Sequence, residues 1–414
     1  MDTLKIEQIE LIILIGAIVA LVARRFKIPY TVGLVVAGFF IAFLPLNLEV
    51  NLSKDMLFNV LLPPLIFEAA LYIHWKELRK DLVPIVTYAT VGVLLAAFVT
   101  AAIMHFAIGW SWEAAILFGV LIAATDPVSV IATFKEARVE GRLRLLVEAE
   151  SLFNDSTAAV AFTVALTFAV GETVSLSSSL WKMSLSVVGG VLSGLLVGGL
   201  AMLLIGRTKD NLVELAMTTL AAYGSFWLAE HFHLSGILAT TAAGLLIGNA
   251  TAFGTFTEKG EESVGHFWDF AAFVVNSIIF IILGINVAYQ DFAKAIVPII
   301  VGIFAVIIAR AIAVYPCSAL FSRSSLKIER SHQHILFWGG LRGALALALA
   351  LGVPEDLPYH QEILTVTFGV VAFSVFGQGL TITPLLRFLG QIPNDVQTDD
   401  IENTETPLNK AAQG

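Results

Sequence analysis

Ala123-Ala124-Thr125-Asp126-Pro127-Val128-Ser129 and, after a basic segment, Glu150-Ser151-Leu152-Phe153-Asn154-Asp155-Ser156 place three carboxylates in sequence apolar enough to cross a bilayer. A charged group at the centre of a membrane helix costs roughly 2.5 to 3.5 kcal/mol on insertion scales, so three in two neighbouring spans need a reason, and an ion pathway is the default one. Pro127 lacks an N–H and disfavours helix at Asp126, which predicts a break near the middle of this span. Lipid offers the freed backbone groups no hydrogen bonds, so the break has to line protein or a polar cavity. On the following helix Glu150 and Asn154 are four apart, as are Ser151 and Asp155, and two adjoining stripes of one face carry all four polar groups. Carboxylate, hydroxyl and carbonyl oxygens suit hard cations.

The rest of the 414 residues fits that setting. Hydrophobic residues make up 57% and charged residues 14%, against roughly a quarter charged in soluble domains. With a mean hydropathy of +0.85, the chain reads as an all-α polytopic membrane protein. Spans of about twenty residues with short loops leave no room for a soluble catalytic domain. The net charge of −9 lies largely in loops and the tail, which argues against a nucleic-acid partner. The single Cys317 excludes a disulfide framework within one chain and reads as a small apolar filler. Met1-Asp2 opens an acidic N-terminus without a basic region or a small-residue cleavage site, so the first span is expected to stay in the mature protein.

Thirteen apolar segments can be read, at about 8–24, 29–45, 55–73, 82–109, 112–134, 144–170, 180–206, 211–230, 234–250, 264–289, 293–321, 331–352 and 360–388. Under this count Arg24, Arg25, Lys27, Lys76, Arg79, Lys80, Lys135, Arg138, Arg142, Arg144, Arg207, Lys209, Lys259, Arg323, Lys327, Arg330 and Arg387 fall on one side. Only Lys5, Lys54, Lys182 and Lys294 fall on the other. The positive-inside rule then puts the N-terminus outside and the C-terminus in the cytoplasm. Segments five and twelve are the most plainly Pro- or Gly-interrupted spans with embedded charge, and they lie seven spans apart. An odd interval inverts topology, so the pattern predicts two inverted six-helix repeats, about 1–171 and 211–390, joined by a linking helix at 180–206, with the broken helices crossing. The transporter domain is then 1–390. The tail 391–414, polar and poor in aliphatic residues, is expected to be disordered and cytoplasmic.

Other segments add polar groups. In Leu62-Pro63-Pro64-Leu65-Ile66-Phe67-Glu68-Ala69-Ala70, Glu68 follows a Pro-Pro pair, a plain kink or a functional one, and either snorkels from a helix end or lines a cavity. Asp126 can cap the half-helix that follows Pro127 and neutralise its dipole. Arg310, in the middle of the eleventh segment, needs a buried acceptor, and Glu150 is the obvious candidate. Three glycines around Arg342 in Phe337-Trp338-Gly339-Gly340-Leu341-Arg342-Gly343-Ala344 predict irregular backbone there. Gly189, Gly190, Gly194, Gly198 and Gly199 allow close helix approach, within a subunit or at a dimer interface. His231 and His233 read as exterior loop residues, and 258–262 as a solvated cytoplasmic loop.

Thr125-Asp126-Pro127 together with Glu150-Ser151-x-x-Asn154-Asp155 resembles the sodium/proton antiporter branch of the monovalent cation:proton antiporter superfamily, the branch that carries Asn-Asp where electrogenic relatives carry Asp-Asp. The Pro63-Pro64-x-x-Phe67-Glu68-Ala69-Ala70 segment, the stretch from Ser235-Gly236-Ile237 to Gly248-Asn249, and the glycines around Arg342 are similar to the same family, and the likeness runs over about 28–387. Ser156 stands where glycine is common in bacterial members. The resemblance implies an antiporter rather than an enzyme, a homodimer in a plasma membrane, with the bacterial inner membrane favoured, and a Glu150–Arg310 salt bridge beside the ion site. It needs no cofactor beyond the transported Na+ or Li+ and H+.

The expected roles follow. Asp155 is cation ligand and proton carrier, Ser151 and Thr125 contribute oxygens, Glu68 contributes a further carboxylate, and Asp126 acts through water or at the half-helix end. Asn154 ties the broken helix to the site, Glu150 with Arg310 braces it, and Arg342 orders the twelfth span. With Asn154 neutral, one titrating carboxylate implies one proton per cation; the resemblance further implies a role in pH homeostasis. The alternatives are a K+/H+ antiporter of the same fold, a sodium-coupled organic anion symporter, a cation channel, and a scaffold with an inactive ion site. A channel would show filter-like repeats or acidic rings, and a symporter extra polar residues for its solute; neither is visible.

Overall fold

The computed structural model describes residues 6–26, 28–44, 54–126, 128–137, 139, 141–171, 176–250 and 255–392. Within them the chain is nearly all helical, and the one extended pairing is an antiparallel bridge between Asp126 and Leu341. The helices, in chain order, are α1 (Ile6–Phe26), α2 (Tyr30–Ile41), α3 (Leu57–Leu71), α4 (Trp75–Ile108), α5 (Trp112–Leu121), α6 (Val128–Ala137), α7 (Arg142–Ala169) and α8 (Leu176–Ile205). They continue with α9 (Asn211–His231), α10 (Gly236–Gly248), α11 (Glu258–Tyr289), α12 (Ile296–Leu320), α13 (Arg330–Trp338), α14 (Ala344–Leu351) and α15 (His360–Phe388). Seven helices among the described residues are long and apolar enough to cross a membrane, and five apolar helices are shorter.

Segments five and twelve are each two helices, α5 with α6 and α13 with α14. α14 is buried from Ala344 to Ala350 on every side, as a helix without a polar face must be. α7, 28 residues and about 42 Å long by its rise, stands beside both interruptions. Pro84 inside α4 removes a backbone donor, and a turn later the helix widens to a π-turn at Tyr88–Gly92. A second widened turn, Ser374–Gln378, lies within α15.

Two boundaries differ from the sequence reading. α4 begins at Trp75, so Lys76, Arg79 and Lys80 ride its first turns instead of forming a loop, with Glu77 favourably placed at the positive helix end. Residues 258–262, read as a loop, begin α11: the Thr257 hydroxyl accepts the Gly260 N–H at 3.0 Å and caps the helix. The glycine stripe of α8 packs inside the subunit. A Cβ at Gly194 would collide with the Ala239 carbonyl of α10, and one at Gly198 would lie 3.1 Å from the Ala243 Cα. The opposite flank of α8, with Leu192, Leu196 and Leu200, is exposed and suited to lipid. The tail beyond 392, together with Lys5, Lys27, Pro127 and Arg138, lies outside the described residues.

Candidate functional site

The site grows from the unmet hydrogen-bonding needs of four half-helix ends. A helix leaves its last carbonyls and first N–H groups unsatisfied, and in a membrane no water meets them. α5 stops at Leu121, and the carbonyls of Ala123 and Ala124 accept from Arg342 Nη1 at 2.6 and 2.9 Å. α13 stops at Trp338, and the Leu336 carbonyl accepts from Arg310 Nη2 and Nε at 2.8 and 3.1 Å. Two guanidinium groups thus meet the negative ends of the two half-helices.

One carboxylate serves both positive ends. Asp126 Oδ1 accepts the Val128 N–H at 3.0 Å, at the start of α6. The same carboxylate also reaches the start of α14, where it lies against Gly343 and beside the Ala344 N–H. Gly343 is required for this: a Cβ there would overlap the Asp126 carboxylate. Between the two breaks the Asp126 N–H donates to the Leu341 carbonyl at 2.7 Å. The widened turn of α15 aims Ser374 at this crossing, where its hydroxyl oxygen accepts the Arg342 N–H at 2.8 Å and is held by Gln378 at 2.7 Å.

α7 supplies the polar face. Glu150 receives Arg310 through two parallel bonds, Nη1 to Oε1 at 2.8 Å and Nη2 to Oε2 at 2.9 Å. Both residues are buried, so this fork supports a charge that lipid could not. Asn154 Nδ2 donates to Glu150 Oε1 and to Thr125 Oγ1, each at 3.1 Å. The Ser151 hydroxyl donates to the Thr125 carbonyl in a short bond and lies 3.2 Å from Thr125 Oγ1. Asp155 differs: its Oδ1 is buried and has no hydrogen-bond partner among the described residues.

A cavity of about 260 Å3 opens beside these groups. α7 and the break before α6 supply one part of its wall, with Thr125, Asp126, Ser151 and Asp155, and α3 and α11 supply another, with Glu68, Tyr72, Asp269 and Asn276. Arg144 Nε is paired with Glu148 Oε1 at 2.7 Å and lines the same space. The structure therefore brings Thr125, Asn154, Ser151, Glu150 and Arg310 into one bonded network, joins Asp126 and Arg342 to the helix ends, and sets Glu68 and Asp155 on one cavity. Sequence reading singled out neither Asp269 nor Asn276. Their signal is the presence of a carboxylate and an amide within the apolar run of α11, which is costly in itself.

The profile of the sodium/hydrogen exchanger transmembrane family matches residues 11–388. The chain belongs to this family. It is a multi-pass membrane transporter and not an enzyme, and the family lies within the cation:proton antiporters that the motifs resemble. The chain is 37% identical over 378 residues to the low-affinity Na+/H+ antiporter NhaS1 of Synechocystis sp., spanning 90% of this chain and 71% of that one. It is 32% identical over 397 residues to the Na+/H+ antiporter NhaH of Halobacillus aidingensis, spanning 92% and 97%. Its fold is similar to that of the sodium proton antiporter MjNhaP1 from Methanocaldococcus jannaschii, with a TM-score of 0.76 over 94% of this chain and 99% of that chain at 19% identity.

Proposed function

We propose that the chain exchanges Na+, or Li+, for H+ across a bacterial plasma membrane, one for one, with the two ions competing for Asp155. The observation that carries this reading is the Asp155 carboxylate, whose buried Oδ1 meets no donor among the described residues, while Thr125, Ser151 and Asp126 beside the same cavity are each hydrogen-bonded. Cation binding needs that carboxylate ionised, so a proton and a metal ion exclude one another there. Thr125 and Ser151 offer oxygens beside it, and Glu68 lines the same cavity.

The electroneutral count rests on how the other acids are used. Glu150 is neutralised by Arg310, the Asp126 carboxylate caps the N-terminus of α6 and lies against the start of α14, and Asn154 carries no charge. Of the acids on α7 and at the break before α6, that leaves Asp155 to carry either a proton or a monovalent cation. Moving net charge would involve about 2.3 kcal/mol per charge per 100 mV, and a one-for-one cycle is free of that contribution. Relative movement of the α3–α11 wall against the wall built on α7 and the crossed helices would open the site to each side in turn, with the two halves as inverted repeats. The reading keeps the N-terminus outside, the C-terminus in the cytoplasm, a homodimer, and a part in pH homeostasis. The Na+/H+ activity of the named relatives supports it.

The test is purified protein in vesicles with a pH dye inside, an imposed proton gradient, and Na+, Li+ or K+ added with and without a K+–valinomycin clamp. Collapse of the gradient by Na+ or Li+, unchanged by the clamp, is expected. A clamp-dependent rate would overturn electroneutrality, response to K+ alone would move the reading to K+/H+ exchange, and no proton movement with any cation would overturn antiport.

A further inference from the structure

Asn276 lies midway along α11 in Phe273-Val274-Val275-Asn276-Ser277-Ile278, with apolar residues on either side of the Asn-Ser pair. An amide placed in a membrane helix costs free energy unless something bonds it. Its neighbours on the helix meet that need locally: the Ser277 hydroxyl donates to the Phe273 carbonyl at 2.7 Å, and Asn286 Nδ2 donates to the Ile282 carbonyl at 2.9 Å. Asn276 does neither. It is 8% exposed, and its Oδ1 is buried without a hydrogen-bond partner among the described residues. What it faces is the cavity that also holds Asp155, Ser151 and Thr125.

Asn276 of α11 and Asp155 of α7 thus line one cavity from different helices, and each carries a buried acceptor Oδ1 without a hydrogen-bond partner among the described residues. Acceptors in this state are satisfied by a cation, and a neutral amide oxygen is a hard ligand that adds no charge. Resting on the exchange reading above, we propose that Asn276 Oδ1 is a ligand for the transported cation. It supplies the oxygen from the α11 wall to a shell whose other members, Asp155, Ser151 and Thr125, belong to the α7 wall. Because the ligand is uncharged, it sets cation affinity and size preference without altering the number of protons exchanged. It also makes the complete shell depend on the two walls standing together.

The experiment compares wild type, Asn276→Leu and Asn276→Ser in the same vesicles, reading the half-saturating concentration and maximal rate for Na+ and for Li+. Asn276→Leu is expected to raise half-saturating Na+ on the order of tenfold, the worth of one lost polar contact, with the maximal rate little changed and the Na+/Li+ ratio altered. Asn276→Ser, which keeps an oxygen, is expected to recover part of the loss. A thermal-shift titration of purified Asn276→Ser with NaCl gives a second reading free of transport: it needs several-fold more salt than wild type for equal stabilisation. Wild-type half-saturation for both ions in both variants, or an unchanged titration, overturns the ligand. Absence of Na+-driven proton movement in the wild type itself is the distinct result that overturns the exchange reading on which the ligand rests.

Discussion

Glu150 and Asp155 stand five residues apart on α7, both carboxylates in the membrane interior, and they are treated in opposite ways. Glu150 receives both arms of Arg310 and the amide of Asn154, while the buried Oδ1 of Asp155 receives no hydrogen bond among the described residues. A buried charge with a complete set of partners is part of the framework; removing one partner leaves a desolvated charge and unfolds the region. A buried acceptor without a protein partner needs water, a ligand or a proton in its place. The difference separates the residues that hold the crossed helices from the residue that takes the ion, although both carry the same chemical group.

Substitutions at and around the two carboxylates test that contrast. The largest effect is expected from Asp155→Asn, which should reduce exchange in vesicles to background while the protein stays monodisperse and its thermal unfolding stays within about 1 kcal/mol of wild type or above it. Normal exchange by this variant would remove Asp155 from the site. On the other carboxylate the expectation is inverted: Arg310→Met strands Glu150 and should cost about 3–5 kcal/mol of stability, seen as early unfolding in detergent. An Arg310→Met protein as stable as wild type would show that the fork is not structural. Gly343→Ala pushes a methyl group into the Asp126 carboxylate and should cost about 1–3 kcal/mol, measured in the same way. If it is neutral, the double cap on α6 and α14 carries little energy. Ser151→Ala should have the smallest effect, a rise of about three- to tenfold in half-saturating Na+ with a normal maximal rate. An unaltered Na+ dependence would leave Ser151 as a purely local hydrogen bond.

Much of this was legible in the chain before the structure. Carboxylates, Pro127 and the glycines around Arg342 mark the two interrupted spans because charge and irregular backbone in apolar sequence are expensive. The position of the first interruption was not legible. Pro127 points to a break at Asp126, yet α5 ends at Leu121, because Arg342, 218 residues further on, holds the Ala124 carbonyl. Asp126 reads as a cap for one half-helix, and its second role at Ala344 exists only once Gly343 is beside it. Asn276 and Asp269 escaped notice for a different reason: seven apart, they share one face of α11, but single polar residues two turns apart in an apolar helix take their meaning from the cavity they line.

Competition at Asp155 can be measured directly as the half-saturating Na+ concentration for proton movement in vesicles, taken at a series of pH values set equal on both sides. A proton held by Asp155 must leave before Na+ binds. Half-saturating Na+ should therefore rise as pH falls, towards about tenfold per pH unit, the limit for one competing proton, with the rate at saturating Na+ preserved. A half-saturation that stays constant with pH while only the maximal rate changes would mean that proton and cation occupy different groups, and would contradict the shared site.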